Sequence, residues 1–149
     1  MKKIFKLIPI MILWAAVIVA PANAQAAYPP NLWKGLMGEA LGDGRAGMTA
    51  VCHVYKNRIN RGMPLGCCAL KRKNLDGFIA RQAAYGKKIG RDYIKETKSI
   101  VKKVFNGKIK DPTGGADHYE NEKAFGRPYW AKHMVVTARI KSHVFYKEK

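Results

Sequence analysis

The loop Asp111-Pro112-Thr113-Gly114-Gly115 divides this chain into two stretches with different hydrophobic periods. Before it, apolar residues recur every three or four positions, the spacing of helices that bury one face. After it, Met134 to Arg139 and His143 to Lys147 are rich in β-branched and aromatic residues, which suit a pleated surface. Ile140 to Ser142 can turn these two runs into a hairpin. Helices first and a small sheet last predicts an α+β domain.

The helical stretch is punctuated. Tyr28-Pro29-Pro30 is a stiff lead-in, and Asn31 is placed to cap a helix that begins at Leu32 and runs to about Leu41. Gly42-Asp43-Gly44 stops it. A second helix is expected from about Ala46 to Asn60, with Met48, Val51, Cys52, Tyr55 and Ile59 on one face, ended by Arg61-Gly62-Met63-Pro64. Gly66 to Leu70 and Leu75 to Ala84 read as shorter helical turns. A third clear helix spans about Asp92 to Asn106, with Asp92 as cap and Gly107 as stop. Its inner face is Ile94, Val101, Val104 and Phe105, and Lys95, Lys102 and Lys103 lie outside.

The first residues read as a signal peptide. Lys2, Lys3 and Lys6 precede an apolar run of 14 residues, Leu7 to Ala20. Pro21 breaks it, and Ala22-Asn23-Ala24 offers a cleavage site, with Ala24-Gln25-Ala26 as a second. A membrane span needs roughly 20 apolar residues, so cleavage is favoured over a retained anchor. The expected division is 1–24 as leader and 25–149 as one domain, periplasmic or secreted, touching the membrane only through its leader. The chain carries 28 basic and 10 acidic side chains, a net +18, and loses three lysines with the leader to keep +15. Such charge steers a protein toward a polyanion or an anionic surface, although solubility alone is the bland reading. Export argues against nucleic acid. Peptidoglycan with its acidic stem peptides, teichoic acid and lipopolysaccharide are the polyanions outside a bacterial cytoplasm.

The three cysteines, Cys52, Cys67 and Cys68, allow one bridge from Cys52 to either neighbour, or three reduced thiols. The four histidines form no close ligand pair, so no metal and no cofactor is expected. Glu39 is the informative residue. It stands seven after Leu32 and three after Leu36, on the apolar face of the first helix. Burial there and the negative end of the helix dipole both favour a protonated carboxyl. A carboxylic acid still protonated near neutral pH is what cleaving a glycosidic bond requires. A buried glutamate paired with an arginine, or one turned to solvent, is the structural alternative. Asp43 and Asp117 are the candidates for a second carboxylate, but both sit in polar loops, without comparable placement. After Gly114-Gly115, the residues Asp117, His118 and Tyr119 could line a groove, and Trp130 could stack on a sugar or plug the core.

Four stretches together resemble the cell-wall hydrolases of the spore-cortex-lytic (SleB) type. They are Leu36-Met37-Gly38-Glu39-Ala40-Leu41-Gly42; Ala50-Val51 through Asn57-Arg58; Asp111 to Ala116 with His118-Tyr119; and Trp130-Ala131 through Thr137-Ala138-Arg139-Ile140 to His143-Val144-Phe145-Tyr146. The resemblance implies a lysozyme-like α+β domain cutting between N-acetylmuramic acid and N-acetylglucosamine. It implies Glu39 as catalytic acid/base, and His118, Tyr119 and Trp130 as substrate contacts. It also implies a lytic transglycosylase, in which one acid/base serves both steps, whereas ordinary glycosidases use two carboxylates. Lys141, where the family often has glycine, and Glu120 depart from the pattern. Peptidoglycan is the expected partner and a monomer the expected state. The rival from another class is a non-catalytic cationic protein holding an anionic wall polymer; a membrane-disrupting lysis factor is weaker.

Overall fold

The computed structural model describes residues 27–149; the leader read at 1–24 lies outside the described residues. Among the described residues four helices, joined by turns, come first, α1 Leu32–Ala40, α2 Gly44–Asn60, α3 Leu75–Lys88 and α4 Tyr93–Phe105; then come the three strands of one sheet, β1 His118–Glu120, β2 Met134–Ile140 and β3 His143–Glu148, with the single turn α5 Glu122–Phe125 between β1 and β2. This is an α+β domain consistent with a lysozyme-like fold.

Helix α2 is the axis of the domain. Residues Gly47 to Tyr55 are buried in an unbroken run, so this helix is enclosed on all sides rather than on the one face its spacing marks. Helices α1 and α4 pack along it, and β1 and β2 close the remaining side. Leu32 and Leu36 of α1, Met48, Val51 and Tyr55 of α2, Ile100, Val101 and Val104 of α4 and Phe145 of β3 form one continuous core. A second cluster, Met37, Leu75, Ile79 and Tyr93, seats α3 against the other side of α1.

The helix ends differ from expectation in instructive ways. Asp92 caps α4, its carboxylate accepting the Lys95 N–H at 2.9 Å. Asn31 makes no side-chain cap; its backbone carbonyl accepts the Lys34 N–H instead, at 2.9 Å. The break at Gly42-Asp43-Gly44 is one 3-10 turn, Leu41–Asp43, after which α2 begins at Gly44, ahead of the expected Ala46. The first turn of a helix needs no packed side chain, so the sequence period does not register it. The two shorter turns resolve into the 3-10 segment Cys68–Lys71 and helix α3, which continues past Ala84 to Lys88.

The sheet has the order β1-β3-β2, antiparallel throughout. The expected hairpin forms across Ile140↔His143, leaving Lys141 and Ser142 as its turn, with Lys141 at φ 56°. Strand β1, which pairs His118 with Tyr146, was not expected: three residues are too few to show a period of two. Central β3 is covered on both faces. Phe145 points into the helical core, while Val144 and Tyr146 pack on Ala131 and Trp130 from the 3-10 segment Tyr129–His133. All three cysteines are free thiols in this structure. Burial pushes the Cys52 thiol up to about 12, against a smaller opposing effect of Lys56, so it behaves as a small hydrophobe.

Candidate active site

A cleft of about 630 Å³ opens between the end of α1, the Cys68–Lys71 turn, α2 and strand β1. Glu39, Asp117, His118, Tyr119, Glu120 and Trp130 all line it. The four residues singled out from the sequence therefore converge on one cavity, although up to 91 positions separate them in the chain.

Glu39 is half-buried near the end of α1. Its Oε1 accepts the backbone N–H of Ala69 at 2.6 Å. That bond depends on the preceding residue. A Cβ on Gly38 would stand 2.7 Å from the Ala69 Cβ and 3.1 Å from Leu75 Cδ1. Glycine lets the Cys68–Lys71 turn press against α1, so its N–H reaches the carboxylate. Among the described residues no lysine, arginine or histidine forms an ion pair with Glu39. The arginine-paired alternative is thereby set aside, and so is a carboxylate turned to solvent.

Behind this wall runs a buried chain of hydroxyls. The Tyr55 hydroxyl donates to Cys67 Sγ at 3.3 Å and shares a 3.0 Å hydrogen bond with the Tyr119 hydroxyl. Burial first, and then the negative charge of Glu39, hold the Tyr119 phenol well above its ordinary range. Burial does the same for Tyr55. Tyr119 thus packs inward and lines the cleft at once.

The facing wall is built by the DPTGGA loop, which folds around Asp111. Oδ1 accepts the Thr113 N–H at 2.7 Å and its hydroxyl at 2.6 Å; Oδ2 accepts Asn57 Nδ2 at 2.9 Å and the Gly115 N–H at 3.2 Å. Burial raises the Asp111 carboxyl, but the bonds from Asn57 and Thr113 together outweigh it and hold it below its usual value. Gly114 and Gly115 take φ of 67° and 82°, which a side chain would resist, and so wind the chain back toward α2. The glycines themselves stay out of the cleft lining; their work is to deliver the residues that follow. Arg58 and Arg61, from the end of α2, clamp the delivered segment. Arg58 Nη1 donates to the Asp117 carbonyl at 2.8 Å, Arg61 Nη2 to the Gly115 carbonyl at 3.0 Å, and Arg61 Nη1 pairs with the Asp117 carboxylate.

Asp117 corrects the reading of it as a residue of a polar loop: its side chain is 0 % exposed. Asp43 is likewise committed elsewhere. Its Oδ2 meets His143 Nδ1 at 2.7 Å and the Ser142 hydroxyl at 2.8 Å, tying the hairpin turn to the α1–α2 junction. The carboxylate that the sequence reading passed over is Glu120, which lines the cleft and accepts the Asn121 N–H at 2.9 Å. It lies two residues after His118, on the same strand face, and that signal becomes readable only once β1 is known to be a strand. Phe125, 81 % exposed on α5 at the cleft, is the other omission. Trp130 sits half-buried with its ring 5.3 Å from His118 and 5.2 Å from Tyr146, packed behind and open toward the cleft. No group of three His, Cys, Asp or Glu side chains among the described residues is placed to hold a metal ion.

One family model, described as Cell Wall Hydrolase, matches residues 42–146 of this chain. The matched segment takes in the DPTGGA loop, both clamping arginines and all three strands, and begins just after Glu39. No curated protein and no solved structure matches.

Proposed function

This chain belongs to the cell wall hydrolase family, and from that premise we propose that it cuts peptidoglycan between N-acetylmuramic acid and N-acetylglucosamine with Glu39 as acid/base. Membership makes peptidoglycan the substrate. The bond, the residue and the route are our reading. The observation that carries it is Glu39: a carboxyl with one oxygen fixed by a backbone N–H, no cationic partner among the described residues, in the wall of a sugar-sized cleft.

In this reading the Glu39 carboxyl gives its proton to the glycosidic oxygen as the bond to the anomeric carbon breaks. The carboxylate left behind then takes the proton of the muramyl 6-hydroxyl while that oxygen closes onto the anomeric carbon. One residue serves both steps and returns to its starting state, with a 1,6-anhydro end as product. A hydrolase would need a second carboxylate to place water. Asp117 is consumed by Arg61 and His118, and Asp43 by the hairpin, which favours the transglycosylase route; Glu120 is the residue through which hydrolysis would run. His118, Tyr119 and Trp130 hold the glycan, Trp130 by stacking. The enzyme acts as a monomer, outside the cytoplasm, after loss of residues 1–24.

The test is digestion of purified sacculi followed by mass spectrometry of the soluble fragments. Anhydro-muropeptides are the expected product, and reducing ends would reassign the route to hydrolysis through Glu120. Tight, salt-sensitive binding to sacculi with no fragments released at any pH would replace the enzyme by a wall-binding protein. The net +18 of the chain makes that the reading to exclude.

A further inference from the structure

Asp117 and His118 have no part in proton transfer as just described, yet their arrangement is too constrained for a passive lining. The Asp117 carboxylate is wholly buried, and its two oxygens are divided between two partners. Oδ2 pairs with Arg61, and Oδ1 lies 2.8 Å from His118 Nδ1. The backbone carbonyl of the same residue is held by Arg58. A carboxylate paired with a guanidinium has no hydrogen to give, so the hydrogen in the Asp117–His118 bond belongs to Nδ1. In a neutral imidazole this leaves Nε2 with a lone pair. The His118 side chain is 23 % exposed, and it lines the cleft. Its ring also packs at 5.3 Å on Trp130, and its backbone is registered against Tyr146 in the sheet. The ring is thus fixed by a hydrogen bond at one edge, a tilted contact with an indole and a strand pairing at its root.

We propose that Asp117 is a positioning residue that fixes the His118 tautomer, so that His118 Nε2 accepts a hydrogen bond from a hydroxyl or acetamido N–H of the bound glycan. This rests on the reading of the cleft as a glycan site. It adds a direction to the contact: the cleft selects a ligand that presents a donor at this point, and a sugar lacking it leaves a fixed acceptor unpaired. The row His118, Trp130, Tyr146 then works as one unit, with the indole stacking the ring whose substituent His118 reads.

Long-range ¹H–¹⁵N spectra of the histidines test this directly. The protein used is the whole mature chain carrying Glu39→Gln, which leaves the glycan intact, and the probe is a soluble peptidoglycan tetrasaccharide. Free protein is expected to show the Nδ1–H tautomer at His118, and glycan to move the Nε2 resonance. By calorimetry in the same background, His118→Gln, whose amide still offers an acceptor, should keep the dissociation constant within about threefold. His118→Phe, which keeps the packing on Trp130, should weaken it about tenfold or more, or roughly 1.4 kcal/mol. A tetrasaccharide whose acetamido nitrogens are methylated, and so carry no hydrogen, separates the two donors: loss of the His118 effect with it assigns the acetamido group, and persistence assigns a hydroxyl. An Nε2–H tautomer in the free protein, or equal affinities for all three proteins, overturns the assignment whatever the enzyme does. Absence of any glycan binding by the parent protein would instead remove the glycan reading of the cleft, and this assignment with it.

Discussion

The two walls of the cleft hold their polar groups by opposite means. On the α1 side a single carboxylate, Glu39, is fixed by one backbone N–H, and the rest of the wall is close packing of small residues: Gly35 and Gly38 against Cys67, Ala69 and Leu70. On the β1 side almost every polar atom is answered. Asp111 accepts four hydrogen bonds, Asp117 is shared between Arg61 and His118, and Arg58 bridges the Pro64 and Asp117 carbonyls. A group that must gain and lose a proton in each turnover cannot be locked in a network of charges, because each partner would favour one of its two states. A group that must stand still benefits from just such a network. The difference between the walls is the difference between reacting and positioning.

The largest test of that contrast is Glu39→Gln. It keeps the shape of the side chain and an acceptor for the Ala69 N–H, and removes the proton. Turnover on sacculi should fall roughly 10²–10⁴-fold, about 3–5 kcal/mol of transition-state stabilisation, with the melting temperature nearly unchanged. Near-normal turnover would take the chemistry off this wall.

Next in size is Gly38→Ala. An exposed helical glycine gains about 1 kcal/mol from this change by propensity alone. Here the new Cβ meets the Ala69 Cβ at 2.7 Å, so the outcome should instead be a loss of roughly 1–3 kcal/mol in chemical denaturation, and activity should fall with it as the Ala69 N–H moves off Glu39. A stabilised, fully active variant would show that the close approach is not what sets the carboxylate.

On the networked wall, Asp111→Ala should cost roughly 1–3 kcal/mol by leaving donors of Thr113, Gly115 and Asn57 unanswered. The loss should appear first as stability and only secondarily as turnover. Its pH dependence has a fixed sign. The Asp111 carboxyl is held below its ordinary 3.8 in the folded protein, so its contribution is fully present above that pH and disappears as pH falls through the lower folded value. Acid titrations of the two proteins, followed by circular dichroism, should therefore converge at low pH; parallel curves would remove Asp111 from the acid limb.

The smallest effect lies outside both walls. Lys141 adopts φ 56° in the hairpin turn, a region costly for any side chain. Lys141→Gly should stabilise by about 0.5–1 kcal/mol, after the entropy glycine returns to the unfolded chain, and leave activity untouched. An altered turnover would mean that the hairpin communicates with the cleft, through Asp43 and His143.

How much of this was legible beforehand depends on how local each signal is. The cap at Asp92, the stop at Gly107 and the hairpin at Lys141-Ser142 follow from residues within a turn of one another, and each stands where its sequence places it. Glu39 was marked by a mismatch with its own helix face. Asp117 was misjudged because polar neighbours in sequence suggested water, whereas its carboxylate is buried against Arg61, 56 positions away at the end of α2, a contact that no local pattern specifies. Strand β1 is held by pairing with β3, and its own three residues carry no period.

The sequence by itself determined the order of the main helices and of the β2–β3 hairpin, the turns that bound them, the charge, and the residue types able to do acid chemistry. These depend on backbone preference and hydrophobic spacing over a few residues. The tertiary structure alone decided that Glu39, His118, Tyr119 and Trp130 share one cavity, that Glu120 joins them, and that Asp43 and Asp117 are committed to other partners. Those outcomes rest on contacts between residues as far apart in the chain as Asp43 and His143, 100 positions, where the energy of an interaction is set by which surfaces the packing of α2 brings together.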